Sequence, residues 1–211
     1  MKKIKIPEIK TVFLKAADAL NANSDYLTNL DQEVGDGDLG ITAKKIAAAL
    51  TAYIEQDISD NDTGKFIMAA GIKINSTAPS SLGSLIAIAL MKAGKVVKGE
   101  SEFDTKQLAK MINTAVSGMM EKGKAKLGDK TIIDALHPAA EAFQGAVERN
   151  ESLPDAAKAM AAAAQAGMDR VTPLKSQIGR AGWVGDRTIG KIDPGCALAV
   201  VVLNQFIKKR I

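Results

Sequence analysis

Along most of the chain, apolar residues recur at i, i+3 and i+4, the spacing that lays one apolar stripe along a helix, and no stretch sustains the alternation of a half-buried strand. The pattern predicts an all-α fold, with helices at about 7–22, 24–34, 38–55, 62–75, 84–98, 104–122, 130–149, 154–171 and 194–209. Ser24, Asp104 and Asp129 stand where N-caps are needed, and Pro154 falls in a first turn, where its missing N–H is not required. The connections are short, so successive helices are expected to be antiparallel neighbours. The alanine run at 156–164 reads as a closely packed helix. The pattern breaks at 34–40, 75–84, 122–130 and 171–195, segments rich in Gly, Ser, Asp and Pro. Functional groups concentrate on such loops above a rigid scaffold.

At 211 residues and 46% hydrophobic content, one domain spanning 1–211 with a sizeable core is expected. Lys and Arg exceed Asp and Glu by 28 to 24, and the excess is spread along the chain, which argues against a nucleic-acid binder. The basic start Met1-Lys2-Lys3-Ile4-Lys5 has no apolar segment behind it, and no window approaches the roughly 20 apolar residues of a membrane span. A soluble, cytoplasmic protein is the expectation. The single cysteine, Cys196, can form neither an internal disulfide nor a thiolate metal site alone and reads as a small buried residue.

Asp31, Asp36 and Asp38 lie within eight residues, among glycines at 35, 37 and 40 that let the loop fold tightly. Two carboxylates about 4 Å apart repel by roughly 4 kcal/mol at an effective dielectric of 20, so convergence calls for a cation between them. Oxygen donors without His or Cys favour Mg or Mn over Zn. A calcium loop counted from Asp36 fails on spacing, with Ala47 at its twelfth position and Ile41 at its sixth. Alone, the turn fits a metal site or a solvated turn in which Asp38 caps the next helix. Bridging Mg ions would let nucleotide phosphates approach three aspartates, and the positive end of the helix starting near Asp38 would favour the same anion.

The serine-rich stretch 76–84 can offer hydroxyls and free N–H groups to an anion, and equally serves as a simple cap; it is no Walker A loop, since Gly-Lys-Ser/Thr is missing. Gly123 to Thr131 brings lysines 124, 126 and 130 together and reads as a solvated basic turn. The connection from 171 to 195 is long for a helix bundle and contains the only tryptophan, Trp183, either a core filler or an exposed contact. The only histidine, His137, precedes Pro138 in an apolar stretch and reads as a packed helix position. The chain therefore presents no evident nucleophile, and positioning with charge neutralisation would suffice for phosphoryl transfer.

Three segments together resemble the nucleotide-binding subunit of dihydroxyacetone kinase, the DhaL family: Leu30-Asp31-x-Glu33-Val34-Gly35-Asp36-Gly37-Asp38-x-Gly40, Gly123-Lys124-Ala125-x-x-Gly128-Asp129-Lys130-Thr131, and Gly179-Arg180-Ala181 through Gly185-x-Arg187-x-Ile189-Gly190 to Asp193-Pro194-Gly195. The resemblance implies an antiparallel barrel of about eight amphipathic helices with the nucleotide, ADP or ATP, at one end. It implies that Asp31, Asp36 and Asp38 hold two Mg ions. It places Leu39, Gly40, Ile41 and Thr42 and the stretch Ser80, Ser81 and Leu82 against the phosphates. Gly123, Ile132, Arg180 and Asp193, Pro194 and Gly195 would surround the adenosine. In this family a histidine of a separate DhaK subunit binds the small ketose as a hemiaminal, which fits a chain without a nucleophile. A DhaK-like partner is thus implied, with a DhaM-like phosphotransferase subunit where the donor is not ATP, and a homodimer is compatible. Two positions depart from the family pattern: Leu39 stands where a His is usual, and Pro79-Ser80-Ser81-Leu82-Gly83 stands where Gly-Gly-Ala-Ser-Gly is usual. Leu39 also suits a second reading, a non-catalytic nucleotide-state sensor that binds a regulator or kinase partner.

Overall fold

Short polar side chains start most of the helices in the computed structural model, which describes residues 3–56 and 61–207. The ten helices among the described residues are α1 Ile6–Ala22, α2 Ser24–Val34, α3 Leu39–Ile54, α4 Thr63–Thr77, α5 Ser81–Val96, α6 Thr105–Gly123, α7 Ile132–Glu148, α8 Leu153–Val171, α9 Gly179–Val184 and α10 Pro194–Asn204. Asp62, Ser80, Asp104, Thr131, Ser152 and Asp193 each accept a backbone N–H of the first turn that would otherwise lack a partner. No strand occurs among the described residues, where a single antiparallel bridge joins Ile4 to Phe103. None of the described helices is long and apolar enough to cross a membrane.

Eight of these helices close a ring. α1 packs on α3, then α4, α5, α6, α7, α8 and α10 follow in turn, and α10 returns to α1. Helix α10 also touches α2 and α7, which is why its residues are apolar almost all round. With few aromatics to fill space, the helices approach closely through Ala and Gly. A Cβ on Gly64 would stand 2.4 Å from the Gly94 carbonyl oxygen, so α4 and α5 cross backbone against backbone. Phe13 stacks on Phe66 and Tyr53 packs tilted against it, which ties α1, α4 and α3; the Tyr53 hydroxyl donates to the Phe66 carbonyl at 2.8 Å.

Antiparallel alternation sorts the connections. The turns at 35–38, 78–80 and 124–131 and the long segment 172–193 fall at one end. The connections around 97–104 and 149–152 fall at the other, where Gly99 N–H donates to Asp62 and Thr63 N–H to the Glu100 carbonyl. All four segments that broke the helical pattern therefore share one rim.

Several sequence expectations change in detail. Ser24 lies buried inside α2 with its hydroxyl on the Asn21 carbonyl, and the capping position falls to Asn23. Thr131, not Asp129, caps α7, because the 124–131 turn runs on before the helix starts. Helix α5 starts at Ser81 rather than 84, drawn back by the Ser80 cap. The expected loop 171–195 contains α9 and a 3-10 turn, Gly185–Thr188. The last helix ends at Asn204, and positions 208–209 of its expected range lie outside the described residues.

Candidate functional site

The acidic turn is shaped by Gly35. A Cβ there would come within 2.6 Å of Asp31 Oδ1, so the absence of a side chain lets the chain double back closely over that carboxylate in its present rotamer. One oxygen from each of Asp31, Asp36 and Asp38 lies within 4.8 Å of the others. Asp31 accepts the Leu39 N–H at 3.1 Å, which fixes it against the start of α3. Asp38 occupies the N-cap position of α3, yet its carboxylate caps nothing. It accepts instead from Arg180 Nη1 at 3.0 Å, and Asp36 accepts from the same nitrogen. Asp38 is therefore not the side-chain cap of α3, while the carboxylates of Asp36 and Asp38 are half exposed as in a solvated turn. A guanidinium stands where three converging carboxylates need positive charge, and the all-oxygen donor set suits a hard divalent cation.

The other first-turn residues of α3 serve the site through backbone. Leu39 and Thr42 are buried, with Leu39 in the core, so the position lends the site an N–H and no polar side chain. Gly40 lies against Thr28 and Ser24 of α2, and Ile41 is exposed.

Beside the turn is a cavity of about 750 Å3. Of the residues expected around a nucleotide, Ser80, Ser81, Gly123 and Ile132 line it. Ser80 Oγ accepts the Gly83 N–H at 3.0 Å, and Ser81 begins the helix, so the N-terminus of α5 opens onto the cavity. Leu82 turns into the core instead. Asp193, Pro194 and Gly195 form a second layer: a Cβ on Gly195 would meet Ile132 Cβ at 3.2 Å. Arg180, expected around the adenosine, sits on the aspartates, while its neighbour Gly179 lines the cavity. Cavity and acidic cluster are thus one residue apart along the chain.

Sequence reasoning did not single out Asn75, Leu85, Met119, Lys122 and Ile178 on the cavity wall, whereas Ser84 belongs to the serine-rich stretch 76–84. The apolar ones carry the same periodicity as core positions. It also misjudged Lys130, expected in a solvated turn and found 2% exposed. The Lys130 ammonium donates to the carbonyls of Thr172 and Leu174, at 2.8 Å each, and of Thr188. Burial pushes its pKa down, opposed by the charge of Asp193. Trp183 is 93% exposed on α9, three residues from Arg180. Cys196 is buried, with its thiol on the Thr131 carbonyl, and burial pushes its pKa far up. His137 lies off the cavity, its Nδ1 3.4 Å from Glu141.

Asp193 is buried, which raises its pKa to about 6, although it accepts the Cys196 N–H at 2.7 Å. The folded chain therefore holds a proton between about pH 4 and pH 6 that the unfolded chain has released, so Asp193 lowers stability as pH rises through that window and adds no further loss above it. Asp193→Asn keeps the cap oxygen and should remove this part of the slope. Urea midpoints at the two ends of the window measure it, and an unchanged difference between them would contradict the assignment.

Comparison with known proteins places these features in a family. The DAK2 domain family matches residues 33–208. The ADP-binding subunit DhaL of the PEP-dependent dihydroxyacetone kinase of Escherichia coli K12 is 28% identical over 193 residues, covering 92% of this chain and 91% of that protein. DhaL of dihydroxyacetone kinase 2 of Listeria innocua is 30% identical, covering 87% and 85%. L-erythrulose kinase of Pectobacterium atrosepticum is 32% identical over 90% of this chain, which spans 32% of that enzyme. The crystal structure of the dihydroxyacetone kinase of C. freundii in its native form superposes with a TM-score of 0.75 at 25% identity, over 97% of this chain and 34% of that one. The same enzyme in complex with AMP-PNP and Mg2+ gives 0.76 at 23%, a likeness of fold. With the motifs, the helical ring and the family match in agreement, the chain is a member of the DAK2 domain family with the DhaL helical fold.

Proposed function

We propose that this chain is the nucleotide-binding subunit of a dihydroxyacetone-kinase-like complex, taking ADP or ATP with Mg. The observation that carries the reading is the join at Gly179 and Arg180, which sets an acidic metal-type cluster at the edge of a cavity with an apolar wall and a serine-lined helix N-terminus. Asp31, Asp36 and Asp38 would hold Mg, two ions by the family resemblance. When bound, Mg would neutralise phosphate charge and let the anion approach the carboxylates. Leu85, Met119 and Ile132 offer apolar contact to a base, and Ser80, Ser81 and the free amides of α5 offer donors to phosphate oxygens. The DhaL relatives are named as ADP-binding subunits, which supports this choice of ligand.

The chain contributes binding, orientation and charge, while a DhaK-like partner supplies the substrate, a small ketose or polyol. Cys196 is buried and His137 lies off the cavity, so neither offers a nucleophile there. The relatives' names include dihydroxyacetone and L-erythrulose kinases, which supports a short ketose. The donor is ATP, or ADP rephosphorylated in place by a DhaM-like subunit. Isothermal titration of the wild-type chain with ADP and with ATP, each with and without Mg, tests the reading: binding should require Mg, and no binding in Mg would end it.

One feature favours a second reading. Leu39 lends no polar side chain to the phosphates, which suits a sensor that reports nucleotide state to a regulator without transfer. A phosphoryl-transfer assay with the partner subunit separates the two, since a sensor binds nucleotide and gives no turnover.

A further inference from the structure

Helix α9 has no buried residue, so apolar packing contributes little to holding it in place. Yet the segment around it supplies Ile178 and Gly179 to the cavity and Arg180 to the aspartates. Its position rests on polar ties, and three of them come from one side chain. Lys130 leaves the 124–131 turn in a left-handed conformation, φ 61°, which aims it under the segment. Its three N–H groups meet the carbonyls of Thr172 and Leu174 at the near end and Thr188 at the far end, so a buried ammonium is fully satisfied by backbone from both ends. Three backbone N–H ties flank it: Gln177 N–H donates to the Asp129 carbonyl, Ser176 N–H to Thr188 Oγ1 and Gly190 N–H to the Thr172 carbonyl, each at 3.0 Å. The next residue after Lys130 is Thr131, on the cavity wall.

We propose that Lys130 is a positioning residue for nucleotide binding: its ammonium clasps residues 172–174 to residue 188, closing the intervening segment into a fixed loop that sets Gly179 at the cavity edge and Arg180 on the acidic cluster. Lys130 touches neither ligand nor metal. It acts through Arg180, and the proposal rests on the nucleotide reading above. Arginine cannot replace it, because a planar fork does not match three carbonyls arranged as a tripod around one nitrogen.

The test uses the full chain and Lys130→Met. Amide hydrogen exchange without nucleotide should quicken across 174–190 while α3 and α6 keep their wild-type rates. Mg–ADP titration below the melting temperature should show the dissociation constant raised by about tenfold or more, as expected for loss of hydrogen bonds to a charged group. A double-mutant cycle with Arg180→Ala gives the discriminating result: Arg180→Ala should weaken ADP binding in the wild type and hardly further in Lys130→Met, since the arginine is already unplaced there. A Lys130→Met chain that melts earlier but keeps its ADP affinity and the full Arg180→Ala effect would overturn the proposal, leaving Lys130 as a fold-stabilising residue. Should Lys130→Met not fold, Lys130→Gln, which is shorter and loses at least one of the three donations, should produce the same local exchange pattern to a smaller extent; unchanged exchange across 174–190 would count against the clasp. If the wild type binds no nucleotide, the nucleotide reading fails, and the exchange data alone still decide whether Lys130 holds the segment.

Discussion

Asp36→Asn is expected to weaken Mg-dependent ADP binding by about a hundredfold, the upper end of what losing even an outer-shell partner of a metal site costs, because Asp36 would itself be a ligand. The side chain is half exposed, and its hydrogen bond is to Arg180, so the substitution removes no core contact and thermal stability should hardly move. The difference should vanish in EDTA. Without a divalent ion, three carboxylates repel the phosphates, and removing one negative charge should leave ADP binding no weaker than wild type. Calorimetry in the two buffers reads both arms. A variant that binds Mg–ADP as tightly as wild type would show that the acidic turn is not the metal site.

Gly167→Ala is expected to destabilise the fold by about 3 kcal/mol, at the upper end of overpacking costs, and to lower the melting temperature by roughly 6–12 °C for a chain of this size. Helix propensity alone predicts the opposite, since alanine in a helix interior is favoured over glycine by about 1 kcal/mol. Packing decides the sign here. The added Cβ would stand 2.0 Å from the Asp134 carbonyl oxygen and 2.9 Å from Pro138 Cγ, and neither a backbone carbonyl nor a proline ring can swing aside. Helix α8 must then move off α7. Asp134 also accepts from Gly128 N–H at 2.6 Å and Thr131 N–H at 2.8 Å, so the displacement reaches the turn that carries Lys130. A circular-dichroism melt settles the sign, and a stabilised variant would mean that the two helices are further apart than described.

The long helices were legible because they bury apolar faces that leave a local periodic trace, and α9, which buries nothing, left none. The acidic turn was legible for a similar reason: its three carboxylates and the glycine that lets them converge lie within a few positions of one another. Arg180 was not. It reaches Asp36 and Asp38 across 144 and 142 residues, and no local pattern distinguishes an arginine that closes a ring of helices from one in solvent. Lys130 was misread because lysines in a glycine-bearing turn are ordinarily solvated, and the three carbonyls that satisfy it come from 42 to 58 residues away. The cavity wall failed differently. Leu85, Met119 and Ile178 are as apolar as core residues, and a stripe facing a cavity has the same period as one facing another helix.

Trp183 is the only indole in the sequence, and it stands in water three residues beyond Arg180, on a helix that buries nothing. The chain thus carries its own optical label on the segment that bridges cavity and acidic turn. Its emission and its quenching by dissolved iodide follow that segment with no attached dye and no background from a second tryptophan, so the segment's movements can be timed in a stopped-flow cell on the unmodified protein.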